Sequence, residues 1–99
     1  MASSDRRLIL LAPGDNCLAV AAALAAGSAV EIDGARVVLA DAVEIGHKLA
    51  RRDIGAGEKV VKYGAVIGSA TRPIRRGEHI HLHNLASDYI PTYTLPRAP

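Results

Sequence analysis

The chain has 99 residues, which suits one small domain, and its formal net charge is +2, carried partly by scattered arginine pairs that predict solvated surface. It contains no Phe or Trp and only three Tyr, so the core must be aliphatic and little aromatic surface remains for stacking on nucleic-acid bases. The single cysteine, Cys17, excludes an internal disulfide framework, predicts a small buried thiol and favours a reducing compartment, the cytoplasm.

The N-terminal third predicts one short strand and one helix. Residues 6–12 (RRLILLA) are typical of a strand, and the turn sequence PGDN interrupts this apolar run too early for a signal peptide. Asp15 or Asn16 can cap a helix, the Ala- and Leu-rich residues that follow favour it, and Gly27 stands where a C-cap glycine belongs. The sequence therefore predicts a single helix near residues 16–26, far too short to span a membrane.

From residue 29 onward the pattern predicts strands. Short segments rich in Val and Ile alternate with the turn sequences DG, GAGE and RRGE, which favours a mainly β fold of short, bent strands. Residues 54–60 and 74–80 echo each other as Ile-x-x-Gly-Glu-x followed by Val or Ile. In each copy the glycine permits a positive φ before a strand, so the echo predicts two similar corners in one small sheet.

The C-terminal residues predict an extended tail. They contain three of the five prolines, which remove backbone donors and disfavour regular pairing. The sequence therefore divides into a domain over residues 1–88 and a Pro-rich tail over residues 89–99.

Three of the four histidines lie within five residues of each other. His79, His81 and His83 alternate with Ile80 and Leu82, so on a strand the imidazoles would share one face and the aliphatic side chains would face the core. Same-face neighbours stand roughly 7 Å apart, which lets two imidazoles converge on a metal or an anionic substrate. The one carboxylate beside the run in sequence, that of Glu78, would point to the opposite face. The pattern thus favours a contribution to a shared site over a complete metal site, and an exposed polar strand face is the alternative.

The fourth histidine precedes a lysine. Gly46 lets the backbone turn, and the adjacent His47 and Lys48 could hold a carboxylate, with Lys48 as a point charge and His47 as a hydrogen-bond or acid–base group. The alternative is a surface lysine beside a histidine at the end of a strand.

Taken together, these segments resemble a known family, the SAF-type N-terminal domain of altronate and galactarate dehydratases. The resemblance runs from about Pro13 to Leu85 and rests on motifs that occur in the family's order: Asp15-Asn16, Gly46-His47-Lys48, Lys62-Tyr63-Gly64, Ile67-Gly68 and Gly77-Glu78-His79-x-His81-x-His83-Asn84. It implies a β-clip fold. Those dehydratases continue into a large catalytic domain that is absent here, and in the same superfamily sulfolactate sulfo-lyase has a separate small subunit that this chain resembles.

The resemblance also implies chemistry: elimination of water, or of sulfite in the sulfo-lyase, from a hydroxylated acid. It implies a divalent metal, iron or manganese, held mainly by a large partner subunit, and a sugar-acid substrate. The catalytic residues it implies are His47, His79 and His81. The substrate-binding residues it implies are Lys48, His83, Asn84 and Asn16.

Three functions remain open from the sequence. The chain is a small subunit or detached domain of a dehydratase-type lyase, the small subunit of a sulfo-lyase, or a non-catalytic anion-binding SAF module, since this fold does not fix a function. In the lyase cases we expect the isolated chain to be inactive. No nucleic acid or membrane is expected as a partner, and homo-oligomerisation is left open.

Overall fold

The structure, a computed structural model, describes residues 5–87, and every regular element in that range is a β-strand, so the predicted mainly β fold is confirmed. The strands are β1 (Leu8–Ile9), β2 (Cys17–Val20), β3 (Ala29–Ile32), β4 (Ala35–Val38), β5 (Lys48–Ala50), β6 (Lys59–Lys62), β7 (Ala65–Ala70), β8 (His79–Ile80) and β9 (Leu85–Ala86). Within the described residues no helix could cross a lipid bilayer. The predicted tail, residues 89–99, lies outside them.

The strands form one central sheet and two hairpins. The antiparallel central sheet has the order β1-β2-β5-β8, while β3 pairs with β4, and β6 pairs with β7, which also pairs with β9. Each hairpin turns on two residues with positive φ: Asp33 (50°) and Gly34 (83°), then Tyr63 (54°) and Gly64 (75°). Positive φ at both central residues marks the tight type I′ turn. Asp15 supports the second turn, because its carboxylate accepts the N–H groups of Tyr63 and Gly64.

The predicted helix near residues 16–26 is wrong. The first residues of that segment are strand β2, and the chain then bends through a bridge between Leu24 and Val43. β2 lies between β1 and β5, so its backbone groups are paired on both sides. The helical preference of alanine is worth at most about 0.7 kcal/mol per residue over ordinary residues, and this pairing outweighs it. Asp15 and Asn16 do not cap a helix, since their side chains bind the backbone of the β6–β7 hairpin.

The chain turns through four corners with one sequence pattern, of which sequence analysis found two. In each corner an aliphatic residue is followed three positions later by a glycine with φ between 82° and 86°, and after three more by a buried aliphatic residue. The residue after the glycine donates its N–H to the carbonyl three positions earlier. The first corner pairs with the second and the third with the fourth. The corners are residues 24–30, 43–49, 54–60 and 74–80.

The central sheet has a separate hydrophobic cluster on each face. Alternation along β2 and β5 sends Leu18 and Leu49 into one cluster and Cys17 and Ala50 into the other. Burial raises the pKa of the Cys17 thiol to about 11, so it stays protonated near neutral pH. Cys17 is therefore the buried core thiol that the sequence predicted.

Strand β8 is shorter than predicted. It ends at Ile80, which is fully buried as expected, and the chain then turns instead of continuing through Leu82, which is 82% exposed and not in the core. The cause is Asn84, whose side chain accepts the N–H of His81 at 2.9 Å and donates to the carbonyl of His79 at 2.8 Å. These bonds occupy backbone groups that a longer strand would pair with a neighbour.

Candidate functional site

Three of the four histidines form one cluster at the edge of the central sheet, which we call the imidazole cluster: His47, His79 and His81. Nδ1 of His47 lies 3.0 Å from Nε2 of His79, within hydrogen-bond distance, and the His47 and His81 rings stack with centroids 4.8 Å apart. The His79 and His81 rings are 5.4 Å apart and inclined by 10°. One nitrogen from each ring lies within 4.8 Å of the others, so the structure brings together the three histidines that the sequence analysis assigned to catalysis.

Two neighbouring strands bring the first two rings together. His47 lies between the second corner's glycine and β5, and its carbonyl accepts the N–H of Val20 at 2.9 Å. β5 pairs with β8 in a register that sets Leu49 opposite His79. The ring of His79 therefore emerges beside the start of β5, where the imidazole of His47 meets it.

A turn, not strand alternation, brings the third ring into the cluster. Asn84 is fully buried, and both ends of its amide bind the backbone on either side of Ile80, which fixes where His81 leaves β8. His83 lies outside the converging group, with its ring centroid 5.6 Å from that of His79 at an angle of 48°. Asn84 thus has a positioning contact here, and the predicted contacts of Asn84 and His83 with substrate stay predictions.

Lys48 lies on the other face of the sheet from the imidazole cluster. It pairs with Ile80, which belongs to the hydrophobic cluster of Cys17, whereas Leu49 and His79 face the opposite way. Burial, followed by repulsion from Lys62, lowers the pKa of Lys48. Adjacent strand residues point to opposite faces, so His47 and Lys48 do not form the side-by-side pair that the sequence suggested.

Asn16, the remaining predicted substrate-binding residue, is buried away from these rings. Its amide nitrogen donates to the carbonyl of Lys59 at 2.9 Å, and its amide oxygen accepts the N–H of Val61 at 2.8 Å. These bonds join the start of β2 to β6. The structure therefore does not bring Asn16 into the imidazole cluster.

The surroundings of His79 favour its neutral form. Burial is the largest cause of its lowered pKa, and the neighbouring charges of His47, His81, His83 and Lys48 lower it further. A neutral imidazole presents a lone pair that can accept a proton or bind a metal ion.

One acidic neighbour of the cluster was missed by sequence analysis. Oε1 of Glu44 lies 3.9 Å from Nε2 of His47, across the second corner. Only Glu78 had been considered, and its carboxylate accepts the N–H of Arg75 at 3.0 Å. The available signal was the corner pattern itself, because it folds the residue three positions before His47 back onto it.

The imidazole cluster fits a divalent metal ion. Two nitrogens bound to one ion at about 2.1 Å stand roughly 3.0–3.4 Å apart. The 3.0 Å separation of His47 and His79 falls in that range, and rotation of the exposed His81 ring would bring the third donor closer. Three imidazoles leave coordination positions for water or substrate, and such a donor set suits iron better than manganese, which prefers oxygen ligands.

Comparison with known proteins finds lyases. The chain is 53% identical over 45 residues to the (2R)-sulfolactate sulfo-lyase subunit alpha of Chromohalobacter salexigens, a match covering 46% of this chain and 48% of that protein. It is 44% identical over 70 residues to the altronate dehydratase of Escherichia coli and 37% identical over 70 residues to that of Bacillus subtilis. Each of these matches covers 71% of this chain and 14% of the dehydratase. The chain therefore spans about half or less of each of these relatives.

A family model extends the match across the whole described fold. The model of the altronate/galactarate dehydratase SAF domain matches residues 6–88, which include all nine strands and the imidazole cluster. The resemblance read from the Gly-His-Lys and His-x-His-x-His motifs is thereby confirmed. The chain belongs to the altronate/galactarate dehydratase SAF domain family.

Proposed function

We propose that this chain is the small subunit, or a detached N-terminal domain, of a lyase of the altronate/galactarate dehydratase type. In this proposal its imidazole cluster forms one wall of an active site that a large catalytic chain completes. The convergence of His47, His79 and His81 carries the proposal, because these nitrogens meet at the edge of the sheet in a domain that corresponds to only 14% of a whole dehydratase.

The proposed reaction is a β-elimination. A base removes the proton α to the substrate carboxylate, the hydroxyl on the neighbouring carbon leaves as water after protonation, and the resulting enol tautomerises to a 2-keto-3-deoxy acid. His79 and His81 are suited to exchange these protons, since the neutral form of His79 is favoured and His81 is exposed. A divalent metal, held mainly by the large chain or by the imidazole cluster, would supply a Lewis acid that stabilises the developing enediolate. A histidine nitrogen that binds the metal would not also act as the base, so the cluster serves one of these two roles at each nitrogen.

Sulfite elimination is the second candidate. The 53% identity over 45 residues is to a protein named as one subunit of a sulfolactate sulfo-lyase, which supports both a separate small chain and sulfite as the leaving group. The two candidates share α-proton removal and differ in the bond broken, C–O in one and C–S in the other. The same residues serve both, so the product identifies the reaction.

The test is reconstitution with a large dehydratase-type chain from the same genome. We expect the two chains to co-purify, the isolated small chain to be inactive, and the complex to act on altronate, galactarate or sulfolactate. Keto-acid formation without sulfite supports the dehydratase, and sulfite release supports the sulfo-lyase. Absence of a complex together with anion binding by the small chain alone would favour the non-catalytic module.

Two variants test the residue assignment in that complex. His81→Ala removes an imidazole from the cluster and should lower kcat/KM by about ten- to a hundredfold, the usual cost of losing one charge-assisted contact. Lys48→Ala should cost less, because Lys48 lies behind the sheet and acts on His79 only through its charge. A larger loss for Lys48→Ala would place the substrate carboxylate on the other face.

A further inference from the structure

A cleft beside the imidazole cluster is lined by His79 and by two arginines. Its volume is about 270 Å³, and it runs between the end of β4 and the fourth corner, with His79 in its wall. Asp41 lines one side, and Arg75 and Arg76 line the other. A cleft of this volume has room for a chain of several hydroxylated carbons.

The wall that carries the arginines is built rigidly. The N–H of Arg75 donates to the Glu78 carboxylate at 3.0 Å, and the N–H of Arg76 donates to Asp53 at 2.9 Å. Gly77 packs so closely on β4 that a Cβ there would clash with Cγ1 of Val37. The backbone under both arginines is therefore fixed by contacts that do not involve the guanidinium groups.

The fold does not require arginine at these two positions. The equivalent pairs in the other corners are Ala25-Ala26, Glu44-Ile45 and Gly55-Ala56, and all four corners adopt the same backbone turn. Small, acidic and aliphatic side chains all satisfy this geometry. The geometry of the turn therefore does not explain why the fourth corner has arginine at both positions.

The same guanidinium groups are free to bind a ligand. Both side chains are exposed, and within residues 5–87 neither forms an ion pair, in contrast to Arg51 with Asp33 and Arg52 with Glu58. Guanidinium binds carboxylate through paired, charge-assisted hydrogen bonds. Asp41 on the facing wall can accept hydrogen bonds from hydroxyl groups. This combination fits a hydroxylated acid better than a purely apolar or a cationic ligand.

We propose that Arg75 and Arg76 bind the remote carboxylate of a hydroxylated dicarboxylic acid whose other end reacts at the imidazole cluster. The cleft joins the two places, because His79 belongs to both. The role in turnover rests on the proposed lyase function, whereas binding in the cleft does not. The arginine pair would then select substrates that carry a second acidic group over those that end in an alcohol.

The test uses two ligands that differ at one end. D-galactarate and D-galactonate are six-carbon acids, and only galactarate has a second carboxylate. Titrated into the full chain and followed by NMR, galactarate should shift the backbone amides of residues 38–41 and 75–79 and bind at least about tenfold more tightly than galactonate. Equal affinity for the two acids, or shifts located elsewhere, would overturn the proposal.

Matched variants separate this site from general attraction to a basic surface. Arg75→Ala and Arg76→Ala should each weaken galactarate binding by about tenfold. Arg72→Ala removes another exposed charge, outside the cleft, and should leave the affinity unchanged. An equal loss of galactarate affinity in Arg72→Ala would mean that the net charge of the protein, not the cleft, accounts for binding. The fold should survive both cleft substitutions, because the contacts of these residues to Glu78 and Asp53 come from the backbone.

The reconstituted complex distinguishes failure of this inference from failure of the proposed function. If the complex is an active lyase and the cleft variants keep their KM for a dicarboxylate, the inference is wrong and the function stands. If no lyase activity is found but the small chain still prefers galactarate to galactonate through Arg75 and Arg76, the function is wrong and the binding site stands. A raised KM with a retained kcat supports both.

Discussion

The two halves of the molecule, residues 24–49 and 54–80, follow the same path. Each half runs from a corner through a tight hairpin to a second corner, and the first residues of its two corners pair in a bridge. Each hairpin turn also places two residues at positive φ. Because the backbone repeats, differences between equivalent side chains separate what the fold needs from what the site needs.

The position after the corner glycine shows this difference. In the second half it holds Glu58 and Glu78, whose carboxylates accept the N–H three residues earlier at 2.9 and 3.0 Å and so close their corners. In the first half it holds Ser28 and His47, and the ring of His47 meets His79 instead. A position that closes the turn elsewhere thus carries one of the candidate catalytic groups.

The largest expected loss of unfolding free energy comes from replacing one of two corner glycines that have nearly the same φ. Gly57 (82°) and Gly77 (84°) both resist replacement by alanine, at a cost of about 1–2 kcal/mol for a left-handed residue. A Cβ on Gly57 meets open space, whereas one on Gly77 clashes with Val37, which adds about 1–3 kcal/mol of overpacking. Urea unfolding should therefore show a clearly larger loss for Gly77→Ala than for Gly57→Ala. Equal losses would mean that Val37 on β4 can move away from the added Cβ without a loss of stability.

Two buried asparagines offer the next comparison. Asn16 binds the carbonyl of Lys59 and the N–H of Val61, and Asn84 binds the same two groups of His79 and His81, so each amide spans alternate residues of a strand end. Replacement of either by alanine leaves two backbone groups without their partner. Each variant should lose about 1–3 kcal/mol of unfolding free energy.

The same pair separates stability from site geometry. Asn84→Ala should also shift the imidazole NMR resonances of His47 and His81, because it releases the turn that stacks these rings, whereas Asn16→Ala should leave those resonances in place. Unmoved imidazole resonances in Asn84→Ala would show that the cluster holds itself together without the turn.

Local sequence signals predicted part of this architecture, and pairing decided the rest. The DG turn, the corners at residues 54–60 and 74–80 and the buried Ile80 were readable because glycine and alternation act locally. The helix near residues 16–26 was not correctly predicted, because its alanines favour a helix until two neighbouring strands are present. Contacts between residues far apart in the sequence could not be predicted for the same reason, because they depend on which strands pair.

The candidate site shows both outcomes. The histidine motifs named three residues whose rings converge in the structure. The sequence analysis placed His81 by strand alternation, whereas the side chain of the buried Asn84 places it by a turn. The contact of His47 with His79 depends on the β5–β8 register, which no local pattern shows. The same register places the side chain of Lys48 on the other face of the sheet.

A smaller effect on stability compares two paired carboxylates, one in the N-terminal segment and one in the second half. Asp5 accepts hydrogen bonds from the Arg7 side chain and from the N–H of Glu31, and the Arg7 contact is the main reason its pKa falls from 3.8 to about 2. Because the folded pKa lies below the unfolded one, this stabilisation is complete above pH 3.8 and is lost as the pH falls toward 2.

Asp5→Asn should therefore flatten the dependence of the unfolding free energy on pH between about 3.8 and 2. Glu58 beside Arg52 also has a lowered pKa, but this pair is more exposed, so Glu58→Gln should flatten the curve less. An acid titration followed by thermal unfolding measures both. Greater flattening in Glu58→Gln would show that the exposed pair outweighs the Asp5 contacts.

The smallest expected change in stability tests the comparison of the halves most directly. His47→Glu gives the second corner the residue that closes the third and fourth, so its carboxylate should accept the N–H of Glu44 and gain about 0.5–1 kcal/mol. Repulsion from the Glu44 carboxylate opposes this by a few tenths of a kcal/mol. The expected Tm is unchanged or up to a few degrees higher, since 1 kcal/mol corresponds to about 4–8 °C in a domain of this size. His47→Ala has no carboxylate to accept the N–H of Glu44, so its Tm should be lower than that of His47→Glu.

In the reconstituted complex both variants should lose activity alike, because both lack the imidazole that meets His79. If His47→Glu is instead the less stable of the two, the ring contacts of His47 stabilise the fold. The histidine at this corner would then be explained by stability and not by the candidate site alone.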